Sequence, residues 1–231
     1  MNKHRVGQHL AAGMILLTPA LSLAQDLERS YLHPKLLNSE VTLRKLVILP
    51  PAVQVNKHGV KGQEGMGEAA EKASGLISIE VEAALREKGV SVETPFTDAV
   101  LGANDELKTA LADVQRQFDD VAPKLFSKKR DVKKGRFTVG DGVAVLNTKG
   151  DADALVIVRA LGAQETNAKA FMKRGLLPMM LTRGKVQYHS RLALVDAKSG
   201  DILFLGDYQS WGTPGSKLFE QSFKKLPVKA Q

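Results

Sequence analysis

Three aspartates, Asp141, Asp151 and Asp153, flank the most apolar segment of the chain. A pair of carboxylates near a strand end could do general acid–base work, and layered α/β sheets place ligands near strand ends. The surrounding sequences, GDG and KGDAD, are also turn sequences, in which Asp caps a helix and Gly bends the chain. We read the three acids as turn and cap residues. Histidine offers little more to a metal. Beyond the leader described below only His33, His58 and His189 remain, far apart, with no HExxH spacing and no cysteine in the chain. His189 alternates with Gln187 and Arg191 on the polar side of a strand pattern, so it is expected to face solvent. Two stretches imitate phosphate loops. GVKGQEGMGEAAEKA lacks both the G-x-x-x-x-G-K-[ST] and the G-x-G-x-x-G frame, and TPGSK lacks the upstream glycine. No G-x-S-x-G elbow is present. The expectation is a protein without a catalytic centre, metal or cofactor.

Two segments of unusual composition suit contact rather than reaction. SKKRDVKKGR sets Lys128, Lys129, Arg130, Lys133, Lys134 and Arg136 against Asp131. KAFMKRGLLPMMLTRGK holds Phe171, Met172, Leu176, Leu177, Met179, Met180 and Leu181 between basic flanks, and Pro178 forbids one straight helix. The apolar part is far too short to span a membrane. Cations beside adaptable apolar side chains favour an anionic membrane, a cell-wall surface or an envelope protein as partner. The plainer readings are a solvated connector for the first and a connection folded over the sheet edge for the second.

The elements that must carry these residues follow from periodicity. Leu46 to Leu49 is an apolar run stopped by Pro50 and Pro51, as in a strand buried on both faces. VNKHGVKGQEGMG has the composition of a loop. Ala70, Ala73, Ile77, Val81 and Ala84 make one stripe of a helix from about Glu68 to Lys88, with Gly89 as its stop. VSVETPF is a second strand. Asn104 caps a second long helix, striped by Leu107, Leu111, Val114, Phe118, Val121 and Leu125, which Pro123 should end or kink. A short helix is expected near Asp141 to Thr148, then a central strand from Ala154 to Val158. KVQYHSRLALVDA and DILFLGDYQSW form a hairpin through DAKSGD, and GSKLFEQSFKKL closes the chain as a helix. The order predicts a single layered α/β domain: a mixed, mostly parallel sheet with a C-terminal β-hairpin and flanking helices.

Residues 1–24 read as a signal peptide, with Lys3 and Arg5, an apolar run from Leu10 to Leu23 broken by Pro19, and a small-residue site ending at Ala24. Residues 25–43 read as an N-terminal arm with a short helical stretch interrupted at Pro34, and 44–231 as the domain. The expected location is the periplasm or the exterior of a bacterium, without lipidation, since no cysteine can take a lipid. No transmembrane span is expected in the mature chain. The formal charge of +8 falls to +6 without Lys3 and Arg5 of the leader (31 basic against 25 acidic residues), an excess that favours anionic envelope surfaces. Nucleic acid is not expected as a partner in that compartment.

At KLVILPP, ADALVIV and LALVDAKSGDILF the chain resembles a superfamily of bacterial envelope proteins. That group includes the TolB amino-terminal domain, the curli-secretion lipoprotein CsgG and the lipoprotein activators of penicillin-binding proteins. The resemblance spans about residues 44 to 225. It implies the same α/β fold and a binding or assembly role without a catalytic constellation. Two function classes follow. One is a non-catalytic envelope module; the other is a periplasmic hydrolase or small-ligand-binding enzyme using Asp141, Asp151 and Asp153. Convergent acids in a deep pocket would favour the enzyme, and a shallow basic or apolar surface the module.

Overall fold

The computed structural model describes residues 26–59, 62–126, 137–165 and 186–211, with Phe219, Phe223 and Leu226. Eight strands form one open mixed sheet between two helical layers. The strands are β1 (Asp26–Leu32), β2 (Lys45–Ile48), β3 (Ala52–Gly59), β4 (Gly62–Gly65), β5 (Ser91–Glu93), β6 (Ala154–Glu165), β7 (Gln187–Asp196) and β8 (Ile202–Trp211). The helices are α1 (Pro34–Leu37), α2 (Gly67–Glu87), α3 (Asp98–Gly102), α4 (Asp105–Leu125) and α5 (Gly142–Leu146). The main path across the sheet runs β1-β8-β7-β6-β2-β5.

β6 is the axis. Its start pairs in parallel with β2, its second half in parallel with β3, and Ala154 to Ala163 antiparallel with β7. Pro50 and Pro51 separate β2 from β3 because proline cannot donate to the ladder. Leu46, Val47, Ile48, Leu49 and Leu155 to Val158 are all buried, as their unbroken apolar runs require. Even positions of β6, such as Val156 and Val158, meet α2 through Ile77 and Val81, and Phe219 and Phe223 join that core. Odd positions, Leu155 and Ile157, meet α4 and α5 through Val114, Phe118, Val143 and Leu146.

The helix ends follow their sequence signals. The Leu107 N–H donates to Asn104 Oδ1 at 3.0 Å. α2 stops at Gly89, whose φ of +75° suits a residue without Cβ. Pro123 lies in the last turn of α4, which ends two residues later. In the DAKSGD turn, Asp196 Oδ1 accepts from the Lys198 and Ser199 N–H groups, and Gly200 has φ +71°.

Three readings need correction. The stretch read as an arm contributes β1, which pairs antiparallel with β8, and its helix begins at Pro34 instead of breaking there. Proline suits the first helical position, and His33 Nδ1 accepts from the Lys35 N–H at 3.0 Å. The stretch read as a loop forms the β3–β4 hairpin, in which β4 is exposed and held by backbone pairing while Val55 of β3 is buried in the core. α3 was not expected; the Thr97 hydroxyl accepts from the Val100 N–H and starts it. With β1 and β4 added, the antiparallel part of the sheet extends beyond the C-terminal hairpin.

Candidate functional site

Asp151 and Asp153 stand at the N-terminal end of β6, opposite the carboxyl end where parallel sheets present ligands. Asp153 Oδ2 accepts from the backbone N–H groups of Arg44 and Lys45, at 2.7 and 2.9 Å, and so fixes the start of β2 beside β6. Asp151 lies 2.5 Å from Lys45 Nζ, and Glu93 lies 2.8 Å from the same nitrogen. The hydrogen bond to Lys45 holds the Asp151 carboxyl below its ordinary value, and Lys45 is raised in turn, first by Asp151 and then by Glu93. Asp141 is exposed at the N-cap position of α5 and makes no side-chain capping bond. Asp151 and Asp153 therefore share Lys45, through its side chain and its backbone, while Asp141 stands elsewhere.

A second cluster lies on the face of the sheet that α4 covers. Leu155 and Ile157 of β6, Ala193 and Val195 of β7, Leu205 of β8 and Tyr31 of β1 are buried there. One step further along each strand the residue type changes to Arg159, Arg191, Asp207 and Arg29. These four are in register: Arg159 opposes Arg191, Arg191 opposes Asp207, and Asp207 opposes Arg29. The row marks the rim of the helical layer. Beyond it stand His189, half-exposed Leu161 and exposed Gln54 and Gln209.

Asp207 is fully buried at the centre of the row. Arg29 Nη2 donates to its Oδ2 at 2.7 Å, and His189 Nε2 lies 2.5 Å from its Oδ1. Burial alone would raise this carboxyl; the His189 hydrogen bond, Arg29 and Arg191 outweigh it and hold the group below its ordinary value. Arg29 also stacks its guanidinium 4.5 Å from the Phe126 ring centre. Arg159 forks onto Asp119 of α4, with Nε donating to Oδ1 at 2.7 Å. Arg191 is held less closely, by an ion pair alone. Its Nε sits 3.5 Å from Asp207 Oδ1, is buried and has no hydrogen-bond partner.

His189 was expected to face solvent and is partly exposed, but its ring is committed to Asp207. Asp207, Arg29 and Arg159 were missed in the sequence. The signal was present as a simultaneous change from apolar to charged residues in β6, β7 and β8, which only the register aligns. His33 caps α1 and His58 lies on β3, and among the described residues no group of three or more His, Asp or Glu could hold a metal ion. A shallow groove between α4 and α5 is lined by Asp105, Glu106, Asp113, Gly142 and Val145. No described helix is long and apolar enough to cross a membrane.

The basic run Lys128, Lys129, Arg130, Lys133, Lys134 and Arg136 lies outside the described residues, as do Phe171, Met172, Leu176, Leu177, Met179, Met180 and Leu181 and the leader 1–24. What precedes the basic run is described: Phe126, the residue under Arg29, ends α4.

No protein-family model matches the chain, and no curated protein matches it. Among solved structures, the chain is similar to the PelC dodecamer from Paraburkholderia phytofirmans, with TM-score 0.38 and 11% identity over 87% of this chain and 96% of that one. A single-substitution variant of the same protein gives TM-score 0.39 and 10% identity over 87% and 97%. The lipoprotein GNA1162 from Neisseria meningitidis gives TM-score 0.34 and 14% identity over 77% and 91%.

Proposed function

We propose that this chain is an exported, non-catalytic binding or assembly module of the bacterial cell envelope. The observation that carries the reading is the use made of its acids. Asp153 is spent on two backbone N–H groups and Asp151 on Lys45, while the sheet carries Arg159, Arg191 and Arg29 in one row around the buried Asp207. Catalytic carboxylates converge on a common space with at least one free to exchange a proton; here two of the three organise the start of β2 and β6. A signal sequence ending at Ala24 and the overall positive charge support an address outside the cytoplasmic membrane and an anionic partner. The basic run Lys128 to Arg136 and the apolar segment Phe171 to Leu181 are the proposed contacts with an anionic membrane or envelope protein.

The test is retention of the purified mature chain, beginning at Gln25, by envelope extract and by anionic vesicles across a salt series. Wild type is expected to bind and to release as salt rises, because exposed charges are screened beyond roughly 8 Å at physiological ionic strength. Changing Lys128, Lys129, Lys133 and Lys134 to Ser should weaken retention, since each cation near an anionic surface contributes about 1 kcal/mol. Asp141→Ala, Asp151→Asn and Asp153→Asn should leave it unchanged in folded protein and should complement a gene deletion. Loss of complementation by a folded Asp153→Asn variant would favour the enzyme reading instead.

A further inference from the structure

We infer that Arg191, with Arg159 beside it, forms a binding site for a phosphate-type oxyanion on the part of the sheet that α4 leaves uncovered. The inference rests on the reading of the chain as a binding module and names a ligand chemistry for it. Arg159 and Arg191 oppose each other directly on neighbouring strands, and like charges in that position destabilise a sheet. The row's acids resolve the conflict only in part. Asp119 is taken by Arg159, and Asp207, which is hydrogen-bonded to Arg29 and His189, reaches Arg191 only as an ion pair at 3.5 Å. Arg191 keeps a buried Nε without a hydrogen bond on a partly exposed side chain.

Two guanidinium groups based on strands about 4.8 Å apart offer donors from two directions. A tetrahedral oxyanion can present a separate oxygen to each, and the guanidinium fork matches a pair of phosphate oxygens. His189 adds an imidazole on the same strand face, held in place by Asp207. Leu161 and Gln54 in the next row are exposed, and among the described residues no helix covers them. The anion would meet the exposed part of the Arg191 side chain, not its buried Nε, and would relieve the opposition between the two arginines.

The phosphate could come from solution or from a lipid head group, and the experiment separates them. Wild type, Arg191→Gln and Arg191→Lys are titrated with inorganic phosphate at constant ionic strength, following binding by calorimetry. The same proteins are sedimented with phosphatidylglycerol vesicles. Wild type is expected to bind one phosphate saturably. Arg191→Gln should bind about tenfold or more weakly, the loss expected for a charge-assisted hydrogen bond. Arg191→Lys keeps the charge without the fork and should fall between them. If Arg191→Gln fails to fold, Arg159→Gln replaces it and should also weaken binding. A vesicle effect of Arg191→Gln that persists when Lys128 to Lys134 are neutral would identify lipid as the source; an effect on free phosphate alone would identify a soluble ester. The inference is overturned if wild type binds neither probe, or if Arg191→Gln and Arg191→Lys bind phosphate as tightly as wild type. Envelope retention sensitive to the four lysines, without phosphate binding, would remove this site and leave the module reading standing.

Discussion

Removing the Asp207 carboxylate would leave Arg29, Arg191 and His189 facing one another across β1, β7 and β8 with no anion between them. Deleting one member of a buried charge group costs about 3–5 kcal/mol, so Asp207→Ala should lose stability on that scale in denaturant melts. Arg29→Ala should cost far less, because Arg29 is half-exposed and water can replace it. The pH dependence has a definite sign. Asp207 titrates below its unfolded value, so its contribution is present above roughly pH 4 and is lost as pH falls through the lower, folded value. Asp207→Asn should flatten that acid limb while leaving the stability near pH 7 reduced. An acid limb unchanged in the asparagine variant would show that the carboxylate is not held as the geometry indicates.

β6 is the element on which both helical layers depend. Ile157 faces α4 and is buried between Ala193 and its own neighbours, so Ile157→Ala should cost about 2–5 kcal/mol in equilibrium unfolding. A loss below about half a kcal/mol would place the strand at the surface. β6, β2, α2 and α4 were legible in sequence because burial writes itself into composition: an unbroken apolar run for a strand covered twice, a stripe for a helix covered once. β1 was not legible for the opposite reason. It is an edge strand, and a register shift between Leu27 and Arg29 breaks the two-residue period by which it could have been recognised. β4 carries Gly-Gln-Glu-Gly, exposed throughout, and is specified by its ladder to β3 alone. The candidate site was half legible. His189 and Arg191 stood out by alternation, but in β8 a register shift puts Ile202 with Leu205 on one face and Phe204 with Tyr208 on the other, and the first face passes from Leu205 to Asp207 without any local motif. Only pairing across strands makes Arg159, Arg191, Asp207 and Arg29 one row.

At the scale of the molecule, residues 26–38 belong to the sheet as much as the hairpin does. Tyr31 and Leu36 are buried, Arg29 binds Asp207, and Lys35 lies 2.6 Å from Asp201. A chain starting at residue 39 should therefore melt at a lower temperature and expose the β8 edge. Lost burial of two large side chains alone is worth about 3–6 kcal/mol, and calorimetry with light scattering would read both effects. An unchanged melting temperature would mean that the segment is an appendage. The β1–β8 pairing also sets an order in time. Arg29 and Asp207 are 178 residues apart, so β1, the first of the described strands to be synthesised, waits for β8, the last of them, before it finds its partner. At 5–20 residues per second that interval is about 10–40 s. For all of it β1 remains unpaired, free to be threaded, handed on or cleaved, and this edge of the sheet closes only when β8 arrives.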